Sequence, residues 1–203
     1  MQSHEVFTIG HSTLSVLAFV ELLQANNVTA VADVRSTPYS RFNPGFNREN
    51  LKKELQTVGL GYVFMGKELG GRPSDPAHFT NGRASYVRMA QSEEFQQGLK
   101  RILDGRSTHR IALMCAEGDP LTCHRTLLVA RALAERSVPV VHIGRGGLLE
   151  THEATEARLM QVTGVQEDLL HSRAETLAAA YELQAQRVAY AEPPAADAGA
   201  EAV

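Results

Sequence analysis

Short apolar, β-rich runs alternate with longer stretches of helical period along most of this chain, and that alternation leaves few folds open. The runs are VFTIG at 6–10, TAVADV at 29–34, GYVFM at 61–65, RIALMCA at 110–116 and PVVHIG at 139–144. Between the first two, Val16, Phe19, Val20 and Leu23 fall at i, i+3, i+4 and i+7, the apolar stripe of a helix, with Ser12 or Thr13 as its cap. Leu51, Leu55 and Val58 mark a second helix, and Phe95, Leu99, Ile102 and Leu103 a third. Leu127, Ala130 and Ala134 mark a fourth, which ends before Val138-Pro139. A helix between every pair of strands makes the strands parallel, and strands covered on both faces read as apolar runs rather than alternating ones. The expectation is a three-layer, doubly wound α/β fold: a mostly parallel sheet of about five strands with helices on both faces.

With 203 residues, 43% of them apolar, the chain suits one domain with a sizeable core, placed at 1–165. A C-terminal helix over 166–190 is marked by Leu170, Ala174, Leu177, Tyr181 and Val188. It is expected to lie either on its own domain or against a second subunit, as a homodimer contact. The segment 191–203, AEPPAADAGAEAV, is small, proline-bearing and acidic, and is predicted to be a disordered tail. Residues 144–161 read as a loop and a helix, and 37–46 and 66–83 as two long connections. A net charge of −3 gives no global attraction to nucleic acid or to an anionic membrane, so an anion site must be local. Two cysteines make no disulfide framework, the start MQSHEVFTIG lacks a signal-peptide pattern, and no apolar run approaches membrane-spanning length. A cytoplasmic protein without a membrane span is expected.

In an open parallel sheet, ligands bind beyond the carboxyl ends of the strands, where loops and helix N-termini converge. Polar groups gather at that edge: Gly10-His11-Ser12, Asp33-Val34-Arg35-Ser36, Gly66-Lys67-Glu68 and Cys115-Ala116-Glu117. CAEGDPLTCHR at 115–125 is the richest segment. Asp119-Pro120 is a strong helix opening, because Asp accepts free N–H groups and Pro at the first position forfeits no hydrogen bond. Cys123 is then expected in the first turns, where the helix dipole favours a thiolate or a bound anion and Arg125 adds a fixed charge. One reading is a nucleophilic or redox thiol at Cys123, with His124 or His11 as its base and Asp33 as a second base or an orienting group. Another is a divalent metal held by Cys115, Cys123 and His124, with Asp33 or Glu117 as a further donor, although the cysteine spacing matches no standard zinc pattern. The plain alternative is a pair of buried small side chains.

Arg35, Arg41, Arg72 and Arg125 lie in the same edge loops, and their guanidinium forks suit phosphate or carboxylate oxygens of a substrate. Gly70-Gly71 lets backbone approach a ligand closely. The structural alternative is ion pairing, Arg35 with Asp33 above all. Tyr39, Phe42 and Phe46 interleave with Arg41 and Asn43, a mixture that either stacks a base or pins its own loop. His142 and His152 read as structural.

TIGHS at 8–12, DVRSTPYSRFNPGF at 33–46, YVFMGKELGGRP at 62–73 and CAEGDPLTCHR at 115–125 together resemble the domain-of-unknown-function family 488, over roughly 6–145. The resemblance implies a cytoplasmic α/β protein and brings no settled reaction. It maps onto His11, Asp33, Arg35, Pro38, Arg41, Gly70, Gly71, Cys115, Glu117, Pro120, Cys123, His124 and Arg125.

An enzyme acting on an anionic, phosphorylated or nucleotide-like small molecule ranks first, and a nucleic-acid-binding or nucleic-acid-processing protein second, with the acidic balance against it. A Cys/His metal-binding protein and a ligand sensor without turnover follow. Phosphatase chemistry of the cysteine–arginine loop type is disfavoured, since nine residues separate Cys115 from Arg125 and one separates Cys123 from it. No dinucleotide cofactor is expected, because GHSTL lacks the glycine-rich turn that admits a pyrophosphate.

Overall fold

The computed structural model describes residues 5–167 and 170–192. The five expected strands form as β1 (Val6–Gly10), β2 (Ala30–Asp33), β3 (Gly61–Phe64), β6 (Ile111–Cys115) and β7 (Val140–Ile143), all parallel to one another. The count of five is one short. Leu149–Thr151 forms an antiparallel edge strand, β8, and the sheet runs β3-β2-β6-β1-β7-β8. The edge strand lies inside 144–161, where a loop was expected; it is three residues long with two of them exposed, too short to show a period. The connection at 66–83 likewise contains a helical turn, α3 (Gly66–Leu69), and a small hairpin of β4 (Phe79–Thr80) and β5 (Arg83–Ala84).

The helices α1 (Val16–Ala25) and α2 (Arg48–Thr57) cover one face. The cap of α1 is Ser15, whose hydroxyl accepts from the Ala18 N–H, rather than Ser12 or Thr13. On the other face lie α4 (Tyr86–Gln91), which follows the hairpin and escaped the periodicity, α5 (Glu93–Gly105), α7 (His152–Thr163) and α8 (Arg173–Val188). Beside them a π-helical stretch, Arg125–Ala130, runs on into α6 (Arg131–Ala134). Side chains of β6 divide between the faces with the strand period: Ala112 and Met114 join the α1–α2 core, while Ile111, Leu113 and Cys115 join the other. That alternation aims the Cys115 thiol at the face where the π-helical stretch begins.

The C-terminal helix α8 lies on its own domain, with Ala180, Tyr181 and Ala185 in the core and Gln184 donating to the Leu121 carbonyl at 2.8 Å. Beyond it Tyr190 accepts at its carbonyl from the Ala84 N–H, Ala191 pairs with Arg83, and Glu192 donates to Gly82. The remainder of the expected tail, 193–203, lies outside the described residues.

Arg158 of α7 clamps the site loop to the sheet edge. Its guanidinium donates to both carboxylate oxygens of Glu150 on β8, at 3.0 and 3.1 Å, and to Asp119 at 3.1 Å. The groups are a quarter to a half exposed, so solvent screens them. Arg158→Ala is expected to lower stability by about 1 kcal/mol, read as a shift of the urea midpoint with unchanged slope.

Candidate metal centre and adjoining cleft

β1 and β6 are neighbours, and the chain leaves their carboxyl ends toward opposite faces of the sheet, which opens a crevice between the two exits. Pairing continues past the strands, with His11 N–H donating to the Cys115 carbonyl and Ser12 N–H to Ala116. Gly10 lies opposite Cys115, and a Cβ there would sit 1.7 Å from the Glu117 carbonyl oxygen. Only glycine admits this approach.

Asp119 caps the following turn as its residue type predicts, accepting from Leu121 N–H at 3.0 Å. The turn is a three-residue 3-10 segment, Pro120–Thr122, and not the helix itself. Cys123 is extended and stands immediately before the helix, its sulfur accepting from the Arg125 N–H at 3.4 Å. The expectation of Cys123 inside the first turns is corrected by one short turn, and the thiol becomes the helix cap.

This closure brings together one donor atom each from Cys115, Glu117, Cys123 and His124, all within 4.8 Å of one another. Both sulfurs lie 3.0 Å from Glu117 Oε2, and His124 Nδ1 lies 3.7 Å from Cys115 Sγ and 3.9 Å from Cys123 Sγ. His124 Nε2 is 2.9 Å from the Val34 carbonyl, an acceptor only, so Nε2 carries a proton and Nδ1 is the ring atom turned toward the sulfurs. Gly71 packs on that ring, where a Cβ would come within 2.6 Å. Cys115, Cys123 and His124 are buried, whereas Glu117 is an exposed residue whose carboxyl alone reaches inward.

Burial opposes ionisation of Cys123, but the hydrogen bond from Cys115 and the charges of Arg125 and His124 outweigh it and hold the thiol well below its usual range. Burial and the hydrogen bond to Cys123 push Cys115 well above that range. His124 is raised: burial acts against its cation, and the Cys123 thiolate more than offsets this. Burial and the same thiolate raise Glu117.

Of the other sequence candidates, Asp33 is fully buried and stands outside the donor group. It accepts from Arg35 Nε at 2.9 Å, Arg35 Nη2 at 2.7 Å and the Tyr62 hydroxyl at 2.7 Å. Arg35 also donates to the Phe46 carbonyl, so most of its fork is spent inside the protein. Arg125, fully buried, donates to the Glu117 and Gly118 carbonyls at 2.6 and 3.0 Å and shapes the donor loop from within. His11 stacks on Phe46 and meets Ser12 and Arg35 rather than the thiols, and burial followed by the Arg35 charge lowers it to about 4. His124, not His11, is the imidazole beside the cysteines. Arg41 is exposed and is not among the residues lining the cleft.

The cleft itself, about 320 Å³, is lined by Cys115, Glu117 and His124 on one side and by Ser36, Thr37, Tyr39, Arg72, Tyr86 and Tyr190 around them. Tyr86 and Tyr190 were not anticipated. Both enter through tertiary packing, Tyr190 because the chain beyond α8 pairs with the hairpin, and neither carries a local signal. Phe46 is buried and pins the 37–46 loop, while Tyr39 and Phe42 remain exposed.

Fold and site together define a doubly wound α/β protein with a two-cysteine, carboxylate and histidine cluster at the carboxyl edge of its sheet. The chain belongs to the family described as Domain of unknown function DUF488, whose model matches residues 15–132, more than half of its length. That match takes in three of the four motifs; TIGHS at 8–12 precedes it. No curated protein and no solved structure matches the chain. Among the described residues no helix is long and apolar enough to cross a membrane.

Proposed function

We propose that this protein is a metalloprotein in which Cys115, Glu117, Cys123 and His124 hold a thiophilic divalent cation, zinc before others. The observation that carries the reading is the set of four donor atoms within 4.8 Å, two of them sulfur and one an imidazole nitrogen. Thiolate and imidazole suit zinc, and in a tetrahedral zinc shell neighbouring ligand atoms stand about 3.5–3.8 Å apart. The sulfur–nitrogen separations, 3.7 and 3.9 Å, lie close to that spacing, and the 3.0 Å sulfur–carboxylate separations are about half an ångström shorter than it. The second shell fits as well: ligating histidines give their other N–H to a carbonyl or carboxylate, as His124 does to Val34. A bound cation would supply fixed positive charge and Lewis acidity at the cleft floor. Arg125 keeps the donor loop closed, and Gly71 leaves room for the His124 ring.

Chelator-stripped protein titrated with zinc against a chromophoric competitor is expected to take up one zinc per chain with a dissociation constant of about 10 nM or tighter. Cys115→Ser, Cys123→Ser and His124→Ala are each expected to weaken binding by about 100-fold or more. Wild-type affinity weaker than about 10 μM, or cysteine variants that bind like wild type, would remove the reading.

A second reading, an enzyme acting on an anionic small molecule, is favoured by one observation: Arg72 faces the same cleft with no ion-pair partner among the described residues. Recognition of nucleic acid by the 37–46 loop has less behind it, since the net charge is negative and Phe46 is turned inward. Thiol chemistry at Cys123 remains tied to the same four residues.

A further inference from the structure

Resting on the metal reading, we infer that the site is an exchangeable one: the Glu117 carboxylate is a displaceable donor that gives way to a small oxyanion, a phosphate or carboxylate, entering along the cleft beside Arg72. The four donors are not equivalent. Cys115, Cys123 and His124 are 3%, 1% and 8% exposed and come from a strand end and a helix start, whereas Glu117 sits on the exposed loop between them. Arg125 holds its backbone carbonyl, and only its carboxyl reaches inward from the loop, 3.0 Å from each sulfur. Closed structural zinc sites use four fixed protein donors; sites that exchange ligands keep three and leave one position open. Three donors from buried residues and one carboxylate borne on an exposed loop residue match the second pattern.

The cleft supplies the route and the selectivity. Its lining includes Cys115, Glu117 and His124, so it borders three of the four donor residues. Arg35 lines it too, but its guanidinium is committed to Asp33 and Phe46. Arg72 is different. Its backbone N–H is held by the Ser36 hydroxyl at 2.9 Å and its exposed guanidinium lies over the Tyr190 ring at 5.2 Å, an arrangement that places the cation at the cleft wall and leaves it without a carboxylate among the described residues. Tyr190 belongs to the segment beyond α8, outside the residues matched by the family model, so this wall of the cleft is contributed by the chain's own extension.

The test uses full-length protein loaded with cobalt(II), whose visible absorption reports changes in the coordination shell. Titration with inorganic phosphate and, separately, with acetate is expected to shift the spectrum saturably. Glu117→Ala is expected to keep one cobalt per chain and to bind phosphate at least tenfold more tightly. Arg72→Ala is expected to keep the cobalt and the unliganded spectrum and to bind phosphate about tenfold more weakly. A spectrum unmoved by either anion in both wild type and Glu117→Ala, with cobalt bound one to one, would overturn the inference and leave a closed structural site. Loss of cobalt from Glu117→Ala to the extent seen in Cys123→Ser would overturn it as well. If wild type takes up no cobalt or zinc, the metal reading itself falls, and the inference with it.

Discussion

Gly10→Ala is expected to destabilise the protein by at least about 3 kcal/mol and to abolish tight zinc binding at the same time. The alanine methyl would lie 1.7 Å from the Glu117 carbonyl oxygen, 2.7 Å from its carbon and 3.1 Å from Arg125 Nη1. Those are backbone and a fully buried guanidinium, neither of which can turn aside as a flexible side-chain end does. Relief requires β1 to part from the 116–118 backbone, and that backbone is what Arg125 holds through the Glu117 and Gly118 carbonyls. Stability and metal affinity therefore fall together. Gly105→Ala is the control: its added methyl meets only the Ile111 Cδ1 at 3.2 Å, and a change within about 1 kcal/mol is expected. Urea unfolding and zinc competition on the two variants check both halves; a Gly10→Ala protein of wild-type affinity contradicts the account of the site.

Acidification is expected to unfold the protein through neutral buried histidines. One hydrogen-bond chain runs through the α7–α8 side of the core: Thr8 Oγ1 to His142 Nδ1 at 2.7 Å, His142 Nε2 to His152 Nδ1 at 3.0 Å, His152 Nε2 to the Tyr181 hydroxyl at 3.0 Å, and that hydroxyl to Glu156 Oε1 at 2.9 Å. The carboxylate at the end only accepts, so each group donates forward and both rings are neutral. A further proton on either ring breaks this forward order: on His152 Nδ1 it meets the His142 Nε2–H, and on His142 Nδ1 it meets the Thr8 hydroxyl hydrogen. Burial lowers His152 to about 4, and burial followed by its neighbour lowers His142 well below the usual value. Because both folded values lie below the unfolded one near 6.5, the unfolded chain takes up protons first. Stability is full above pH 6.5 and is lost as pH falls toward 4, by about 3 kcal/mol for His152 alone. His152→Gln, compared with wild type at equal metal content, is expected to remove about one proton from the slope of unfolding free energy against pH between 4.5 and 6.5. An unchanged slope contradicts the neutral chain.

The strands were legible because each is a short run buried on both faces, as IALMC and AVAD are. β8 and the 79–84 hairpin were not, since two or three residues at an edge carry no period. For the site, the residue types and their shared sheet edge were readable, while their partners were not. Arg35 and Arg125 read as ligand-binding forks, yet burial turns both inward, onto a carboxylate and onto backbone carbonyls. The cysteine spacing argued against a metal because standard patterns describe donors on one local turn. Here Cys115 ends a strand and Cys123 caps a helix, and the 3-10 turn after Asp119 folds them together. Val34, whose carbonyl fixes the His124 ring, contributes only backbone, which no side-chain pattern reveals.

X-ray absorption at the zinc edge, on zinc-loaded full-length protein, reads the donor set directly. The expected spectrum is that of a four-coordinate shell of two sulfurs at about 2.3 Å and two nitrogen or oxygen atoms at about 2.0–2.1 Å, with imidazole scattering beyond them. A shell of oxygen and nitrogen alone, or one of four sulfurs shared between chains, contradicts it.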